Sequence, residues 1–174
     1  MISPLNLGLA FFTIIFLGWV IWNFNLDAWW EPTDKNTVDN ILKLAQLKNN
    51  EVLYDLGCGD GRIVITAAKK YGANAVGIEI DPVRFIISRI RARLSGVAYK
   101  VDIKLANMYE IDLSEADVVV LFLSRSSNSK LSPMLKEQLK PGARIVSYYH
   151  HLPDWDPVEV GTSADGYNLF LYKK

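Results

Sequence analysis

Short apolar runs and longer amphipathic segments alternate along the chain from residue 38 onward. Ahead of the first run, apolar residues recur at helical spacing, at Val38, Ile41, Leu42 and Ala45, and predict a helix. Short β-rich runs predict strands at 52–56, 74–79, 101–105, 117–123, 143–149, 157–161 and 167–173. Amphipathic segments predict helices at 61–70, 82–95 and 129–139. This alternation is typical of an α/β domain with a mostly parallel sheet, and a turn signal at residues 163–166 indicates that one closing strand is antiparallel.

The first 26 residues differ from the rest because they contain no Asp, Glu, Lys or Arg. As a helix, residues 5–26 would span roughly 33 Å, and the hydrocarbon core of a bilayer is about 30 Å thick. Tryptophans near the end of this segment resemble an interfacial aromatic belt, at Trp19, Trp22, Trp29 and Trp30. We therefore expect one transmembrane anchor at 1–26 and one folded domain at 27–174. A core helix and an interfacial helix are the alternatives.

Three alternate glycines, Gly57, Gly59 and Gly61, follow the predicted strand at 52–56. Glycine lacks a Cβ and allows left-handed backbone angles, so a ligand can lie directly against such a turn. The spacing differs from the dinucleotide fingerprint, and carboxylates flank the turn at Asp55 and Asp60. Carboxylates repel a diphosphate and attract an ammonium or sulfonium group. The turn therefore favours S-adenosylmethionine as the ligand, with a plain strand-to-helix turn as the alternative.

A second acidic residue, Glu79, ends the next predicted strand, where a carboxylate can accept hydrogen bonds from ribose hydroxyls. At these residues the chain resembles the class I, seven-β-strand methyltransferases, which have a Rossmann-like sheet with an antiparallel closing strand. Three further segments resemble a narrower group, at 31–34 (Glu-Pro-Thr-Asp), 54–64 and 139–147. That group comprises the small archaeal protein-lysine methyltransferases and their membrane-anchored mitochondrial relatives, the FAM173 group.

The resemblance implies roles for individual residues around the cofactor. The glycine turn, including the packed Cys58, would contact the methionyl part, and Glu79 would hold the ribose. Asn107 would lie toward the adenine amino group and Met108 over the ring, with a plain turn role as the alternative for Asn107. Thr33 would close over the methionyl carboxylate, with capping of the first domain helix as its alternative. The expected cofactor-binding residues are thus Thr33, Asp55, Gly57, Cys58, Gly59, Glu79, Asn107 and Met108.

The catalytic side is less clearly marked. A lysine ammonium must lose its proton before it attacks a methyl group, and its reference pKa is near 10.4. The loops at 122–128 and 147–151 are expected to form the substrate mouth, and Tyr148 or Tyr149 to accept a hydrogen bond from the amine. Because side chains alternate along a strand, only one of these tyrosines should face the site. Bacterial relatives tend to carry Ser-His-Asp-Phe where this chain has Ser-Tyr-Tyr-His, so the resemblance does not fix the substrate.

Composition narrows the classes of partner. The formal net charge is zero and the pI is about 6.7, which provides no basic field for nucleic acid. His150 and His151 are adjacent and would face opposite sides of a strand, so we expect no metal site. Four arginines on the helix at 82–95 do not share one face, which favours a solvated surface with anionic headgroup contact as a secondary role.

The sequence thus predicts a membrane-anchored, S-adenosylmethionine-dependent methyltransferase acting on a lysine-bearing protein that is itself membrane-associated. Two alternatives remain, which are methylation of a small or lipid-like molecule and a non-enzymatic regulator that binds the cofactor. No Lys or Arg precedes the predicted span, whereas Lys35 and Lys43 follow it. This asymmetry predicts a single-pass protein with its catalytic domain on the cytoplasmic side.

Overall fold

A sheet of seven strands forms the centre of the domain in the computed structural model, which describes residues 4–24 and 31–174. The strands are β1 (Val52–Leu56), β2 (Asn74–Glu79), β3 (Val101–Leu105), β4 (Val118–Leu121), β5 (Arg144–Tyr148), β6 (Glu159–Thr162) and β7 (Asn168–Lys173). Their order across the sheet is β3-β2-β1-β4-β5-β7-β6. Strands β1 to β5 are parallel, and β7 pairs antiparallel with both β5 and β6. The expected seven-stranded sheet with an antiparallel closing strand is confirmed.

Among the described residues, five α-helices accompany the sheet: α1 (Pro4–Phe24), α2 (Lys35–Leu44), α3 (Arg62–Thr66), α4 (Pro82–Leu94) and α5 (Arg125–Gln138). Helix α3 continues directly into a π-helical turn at Ala67–Tyr71, and two short 3₁₀ turns lie at Ala98–Lys100 and Met108–Glu110. One face of the sheet is covered by residues of α2 and α3 with Phe85 of α4, and the other by α5. Both layers bury apolar side chains completely, as expected for a parallel sheet.

The start of one helix differs from its sequence prediction, and a cap explains the difference. Helix α5 begins four residues before the predicted start at 129, because the Ser124 hydroxyl accepts a hydrogen bond from the Ser127 amide at 3.1 Å. The first turn is polar, so hydrophobic periodicity could not reveal it. Helix α2 is capped by Asp34, which accepts from the amides of Asn36 (2.8 Å) and Thr37 (3.2 Å). The capping alternative for Thr33 is therefore wrong.

The N-terminal helix α1 contacts the domain through Trp19, whose indole N–H donates to a carboxylate oxygen of Asp81 at 2.8 Å. Trp19 was expected at a membrane interface, but this contact joins it to the first residue before α4. No helix in the described part of the chain is long and apolar enough to cross a membrane. The structure thus gives no support to the transmembrane prediction for 1–26. Trp29, Trp30 and the predicted boundary at 26/27 lie outside the described residues.

Candidate active site

A cavity of about 310 Å³ lies at the carboxyl ends of β1, β2 and β4, the edge at which open α/β sheets bind their ligands. The segment 31–33 covers it from the N-terminal side, and Phe122 and Leu123 follow β4 on the other. The structure brings together at this cavity all eight residues expected to bind the cofactor: Thr33, Asp55, Gly57, Cys58, Gly59, Glu79, Asn107 and Met108.

The glycine turn is held against β2 by its own backbone. The amides of Gly57 and Cys58 both donate to the carbonyl oxygen of Ile78 at 2.9 Å. Gly57, Gly59 and Gly61 have φ angles of 84°, 56° and 78°, which other residues rarely adopt. A Cβ at Gly57 would also lie 3.1 Å from the Leu123 side chain. The turn therefore requires glycine for its backbone shape and leaves its inner side open to a ligand.

Beneath the turn, Cys58 is buried against Gly77 of β2. A Cβ at position 77 would lie 2.8 Å from the Cys58 sulfur and 2.9 Å from the Ile103 side chain. Burial, followed by the nearby charge of Asp55, raises the pKa of the Cys58 thiol well above its usual value. Cys58 therefore acts as a packed, protonated support for the turn.

Glu79 connects the turn to the start of α4. Its carboxylate accepts hydrogen bonds from the amides of Gly59 (2.8 Å), Ile80 (3.0 Å) and Asp81 (2.9 Å). Burial raises the pKa of Glu79, and these hydrogen bonds oppose the rise. Sequence reasoning assigned Glu79 only to the ribose. The structure adds a second role, because the same carboxylate fixes the backbone around the cavity.

Asp55 is a buried acid in the cavity wall, and one of its carboxylate oxygens, Oδ2, has no hydrogen-bond partner among the described residues. Burial, with the neighbouring charges of Glu79 and Asp60, raises the pKa of Asp55 to about 8. A buried acceptor without a donor is unfavourable unless a ligand supplies one. The cationic amino group of S-adenosylmethionine fits this requirement, and the positive sulfonium is attracted by the same carboxylate.

Asp60, the second acid beside the turn, has a different role from the one expected. It forms salt bridges with Arg62 (2.6 Å) and with Arg91 of α4. Burial would raise its pKa, but hydrogen bonding and charge from Arg62, together with the charge of Arg91, hold the pKa below its usual value. The attraction for a cationic ligand therefore comes from Asp55, and Asp60 instead ties the turn to α4.

Two other parts of the cavity wall are fixed by polar contacts. Arg62 donates to the backbone carbonyl of Thr33, which holds the 31–34 segment over the cavity. Asn107 caps the 3₁₀ turn after β3, where its side-chain oxygen accepts from the Tyr109 amide at 3.2 Å and its amide group donates to Glu110 at 2.9 Å. Asn107 is thus positioned at the wall by the turn it caps.

A second cavity of about 340 Å³ adjoins the first and shares four of its lining residues, Glu31, Pro32, Thr33 and Phe122. Its remaining lining includes Tyr148, Asp34 and Asp165. The ring centroids of Phe122 and Tyr148 are 4.3 Å apart. Three carboxylates and two aromatic rings therefore surround a passage that leads to the cofactor cavity.

Within this passage the Tyr148 hydroxyl donates to Asp165, whose other oxygen accepts from Ser163. Burial, then the bond to Asp165, raises the pKa of the Tyr148 phenol, and the hydrogen bonds from Ser163 and Tyr148 lower the pKa of Asp165. Sequence reasoning missed Asp165 and treated residues 163–166 only as a turn. The sequence did contain a signal for this contact, because an antiparallel β7 brings the turn that precedes it toward the end of β5.

Tyr149 lies elsewhere. It has a φ of 71°, is 47% exposed and packs against Tyr167 and His150. It lines a third cavity together with His150 and His151, not the two that adjoin each other. Of the two tyrosines only Tyr148 lines the passage, because β5 ends at Tyr148 and the left-handed backbone at Tyr149 turns the chain away. Asn128 of α5 holds the intervening loop, since its amide donates to the Ser147 hydroxyl and the carbonyls of His150 and His151 at 3.1–3.2 Å.

Comparisons with known proteins agree with this geometry. The ANTKMT methyltransferase domain family matches residues 55–159. A protein-lysine N-methyltransferase of Saccharolobus islandicus is 40% identical over 81% of this chain and 90% of its own length. The adenine nucleotide translocase lysine N-methyltransferase of Mus musculus is 33% identical over 71% of this chain, which matches only 53% of that longer protein.

Among solved structures, an RNA methyltransferase of Salinibacter ruber in complex with S-adenosyl-L-homocysteine is 44% identical, with a TM-score of 0.79. The match covers 82% of this chain and 93% of that one. Its bound ligand is the demethylated product of the cofactor inferred from Asp55 and the glycine turn. The chain therefore belongs to the ANTKMT methyltransferase domain family and is an S-adenosylmethionine-dependent methyltransferase.

Proposed function

We propose that this enzyme methylates the side-chain amine of lysine in a protein substrate. The observation that carries the proposal is the acidic and aromatic passage beside the cofactor cavity. Its carboxylates, on Glu31, Asp34 and Asp165, suit a cationic ammonium group, and the rings of Phe122 and Tyr148 suit the apolar stem of a lysine. The names of the archaeal and mouse relatives support the same substrate class.

The residues of the passage have separable tasks. Because the Tyr148 hydroxyl donates to Asp165, its oxygen remains able to accept a hydrogen bond from the incoming amine. The lowered pKa of Asp165 keeps that carboxylate ionised, so it attracts the ammonium and orients Tyr148. S-adenosylmethionine supplies an already activated methyl group when bound. Alignment of the amine can then account for roughly 7–11 kcal/mol of the barrier without a strong base.

Methylation of RNA is the competing activity suggested by the name of the Salinibacter ruber structure. The passage disfavours it because three carboxylates would repel a phosphate backbone, and the chain has no basic excess. Transfer of a radioactive methyl group separates the candidates when label is measured in gel-resolved protein, RNA and lipid extract. We expect label in protein, and we expect hydrolysis of that protein to release it as labelled methyl-lysine. Label in RNA or lipid alone would refute the proposal, and cofactor binding without any transfer would indicate a regulator.

Replacing Tyr148 by Phe should slow methyl transfer by about ten- to a hundred-fold with little change in cofactor affinity. The variant keeps the ring and loses only the hydroxyl that accepts from the amine, an interaction of about 1–3 kcal/mol. Single-turnover methyl transfer measures the rate, and calorimetric titration measures the affinity. Tyr149→Phe is the matched control and should leave the rate unchanged. Loss of thermal stability at an unchanged rate in Tyr148→Phe would assign Tyr148 to packing.

We further propose that the enzyme resides at a membrane, with its catalytic domain on the cytoplasmic side and a membrane-associated protein as substrate. The support is compositional, namely the uncharged first 26 residues and the lysines that follow them. The full chain should sediment with membranes and resist extraction by alkaline carbonate, and its domain should be digested by protease only in opened vesicles or cells. Release by carbonate would exclude an inserted anchor.

A further inference from the structure

Helix α4 presents a row of exposed apolar side chains. Val83, Ile86, Ile87, Ile90 and Leu94 are between 43% and 82% exposed. The buried residues of the helix, Ser88 and Ala92, lie on the other side, which packs toward the sheet. The row is therefore the outward side of α4, and five large apolar groups there are more than a solvated surface helix needs.

The four arginines of α4 flank this row. At 100° per residue, Arg84 and Arg91 lie along one edge, and Arg89 and Arg93 along the other. In the sequence these arginines formed no single patch. The structure shows why they are separated, because the apolar row runs between the two pairs of arginines. Helix α4 contains no Asp or Glu. Asp60 pairs with Arg91 at one edge, and the Arg89 and Arg93 edge adds positive charge beside the apolar row.

The combination of apolar groups and positive charge indicates which kind of partner binds this face of α4. In a symmetric contact with a second copy, the arginine edges of two α4 helices would face each other and repel. An anionic bilayer complements both parts, since an apolar row can enter the headgroup boundary while flanking guanidinium groups bind lipid phosphates. Helix α1, joined to the start of α4 by the Trp19–Asp81 hydrogen bond, also exposes apolar side chains, including Leu9 and Ile14.

We propose that the outward face of α4 is a docking surface for an anionic lipid membrane, with Val83, Ile86, Ile87, Ile90 and Leu94 inserted and the exposed Arg89 and Arg93 bound to headgroups. The proposal is independent of the substrate and does not require that α1 crosses the bilayer. Arg84 also lines the cofactor cavity, so docking places the cavity wall beside the membrane surface.

The test uses the full chain with vesicles of phosphatidylcholine alone or with about a third phosphatidylserine. Because the described residues of α1 contain no charged side chain, binding through α1 is indifferent to the headgroup. A preference for anionic vesicles therefore does not come from α1, and arginine variants of α4 test whether it comes from α4. Each basic residue near an anionic surface strengthens binding about fivefold, so Arg89→Gln with Arg93→Gln should lower anionic-vesicle affinity about thirty-fold and abolish the preference. These two arginines do not line the cofactor cavity, so cofactor affinity should not change.

A matched control removes two charges at the far end of the sheet, with Lys173→Gln and Lys174→Gln on and after β7. It should keep the wild-type preference. Replacing Ile86 and Ile90 by Ser should leave the headgroup preference and weaken binding at high salt, where insertion dominates. The proposal is overturned by an unchanged preference in the arginine variant, or by equal losses in the lysine control. Self-association of the wild type that disappears in the isoleucine variant, without any effect on vesicles, would assign the face to protein contact.

Discussion

Glu79→Ala is expected to lower the affinity for S-adenosylmethionine by at least a hundred-fold. The change removes the acceptor for three backbone amides, those of Gly59, Ile80 and Asp81. These amides hold the glycine turn and the start of α4 in place. Hydrogen bonds to a charged group contribute about 1.5–3 kcal/mol each, and 1.4 kcal/mol corresponds to a tenfold change in binding. Loss of the turn geometry together with the expected ribose contact accounts for the size of the effect.

Calorimetric titration measures the affinity, with Glu137→Ala on the exposed side of α5 as the control for removal of a carboxylate. The control should bind like the wild type. Glu79→Gln should also bind poorly. Glutamine has only one acceptor oxygen, so its side-chain NH2 group would face a backbone N–H donor. Affinity within a few-fold of the wild type in Glu79→Ala would show that the ligand binds away from this cavity.

The affinity for S-adenosylmethionine should depend on pH through Asp55. In the structure without ligand the pKa of Asp55 is raised to about 8, and a cationic ligand binds the ionised carboxylate. Affinity should therefore fall about tenfold per pH unit below 8. Asp55→Asn keeps the side-chain volume and should remove this dependence. The ratio of the two affinities across pH 6–9 isolates Asp55, because titration of the ligand itself affects both proteins equally.

The same carboxyl group has a separate effect on stability without ligand. Its pKa is higher in the folded than in the unfolded state, where it is near 3.8. The folded protein therefore binds more protons between these values, and stability contributed by Asp55 is complete below pH 4 and lost as the pH rises through 8. Thermal unfolding should show that Asp55→Asn gains stability over the wild type as the pH rises. A parallel pH profile for the two proteins would contradict the raised pKa.

The local parts of the fold were predictable from the sequence. Strands β1, β2 and β3 have the predicted bounds. The central strands β1 and β2 are mostly buried and therefore mostly apolar, whereas the edge strand β3 alternates apolar and charged residues with the period of two that a strand requires. The turn at Gly57–Gly61 and its partner Glu79 followed from the same reasoning, since residues at neighbouring strand ends must meet. Prediction succeeded where a single strand or turn determines the geometry.

The long-range pairings were not predictable in this way. Asp60 meets Arg91 only because α4 packs beside the glycine turn. Trp19 and Asp81 are 62 residues apart. Each pairing depends on how elements pack, and periodicity within one element contains no information about its neighbours. The sequence predicted a solvated surface for α4 and did not reveal its exposed apolar row. Which residues of α4 are exposed depends on which side of the helix faces the sheet.

The contact between Cys58 and Gly77 constrains how this family can diverge. A side chain at 77 would meet the Cys58 sulfur and Ile103, both held in place by the glycine turn and by β3. Substitution at 77 in one lineage therefore requires space at both 58 and 103, so these three positions should change together over evolution. The strand behind the glycine turn thus restricts which residues the turn itself can carry.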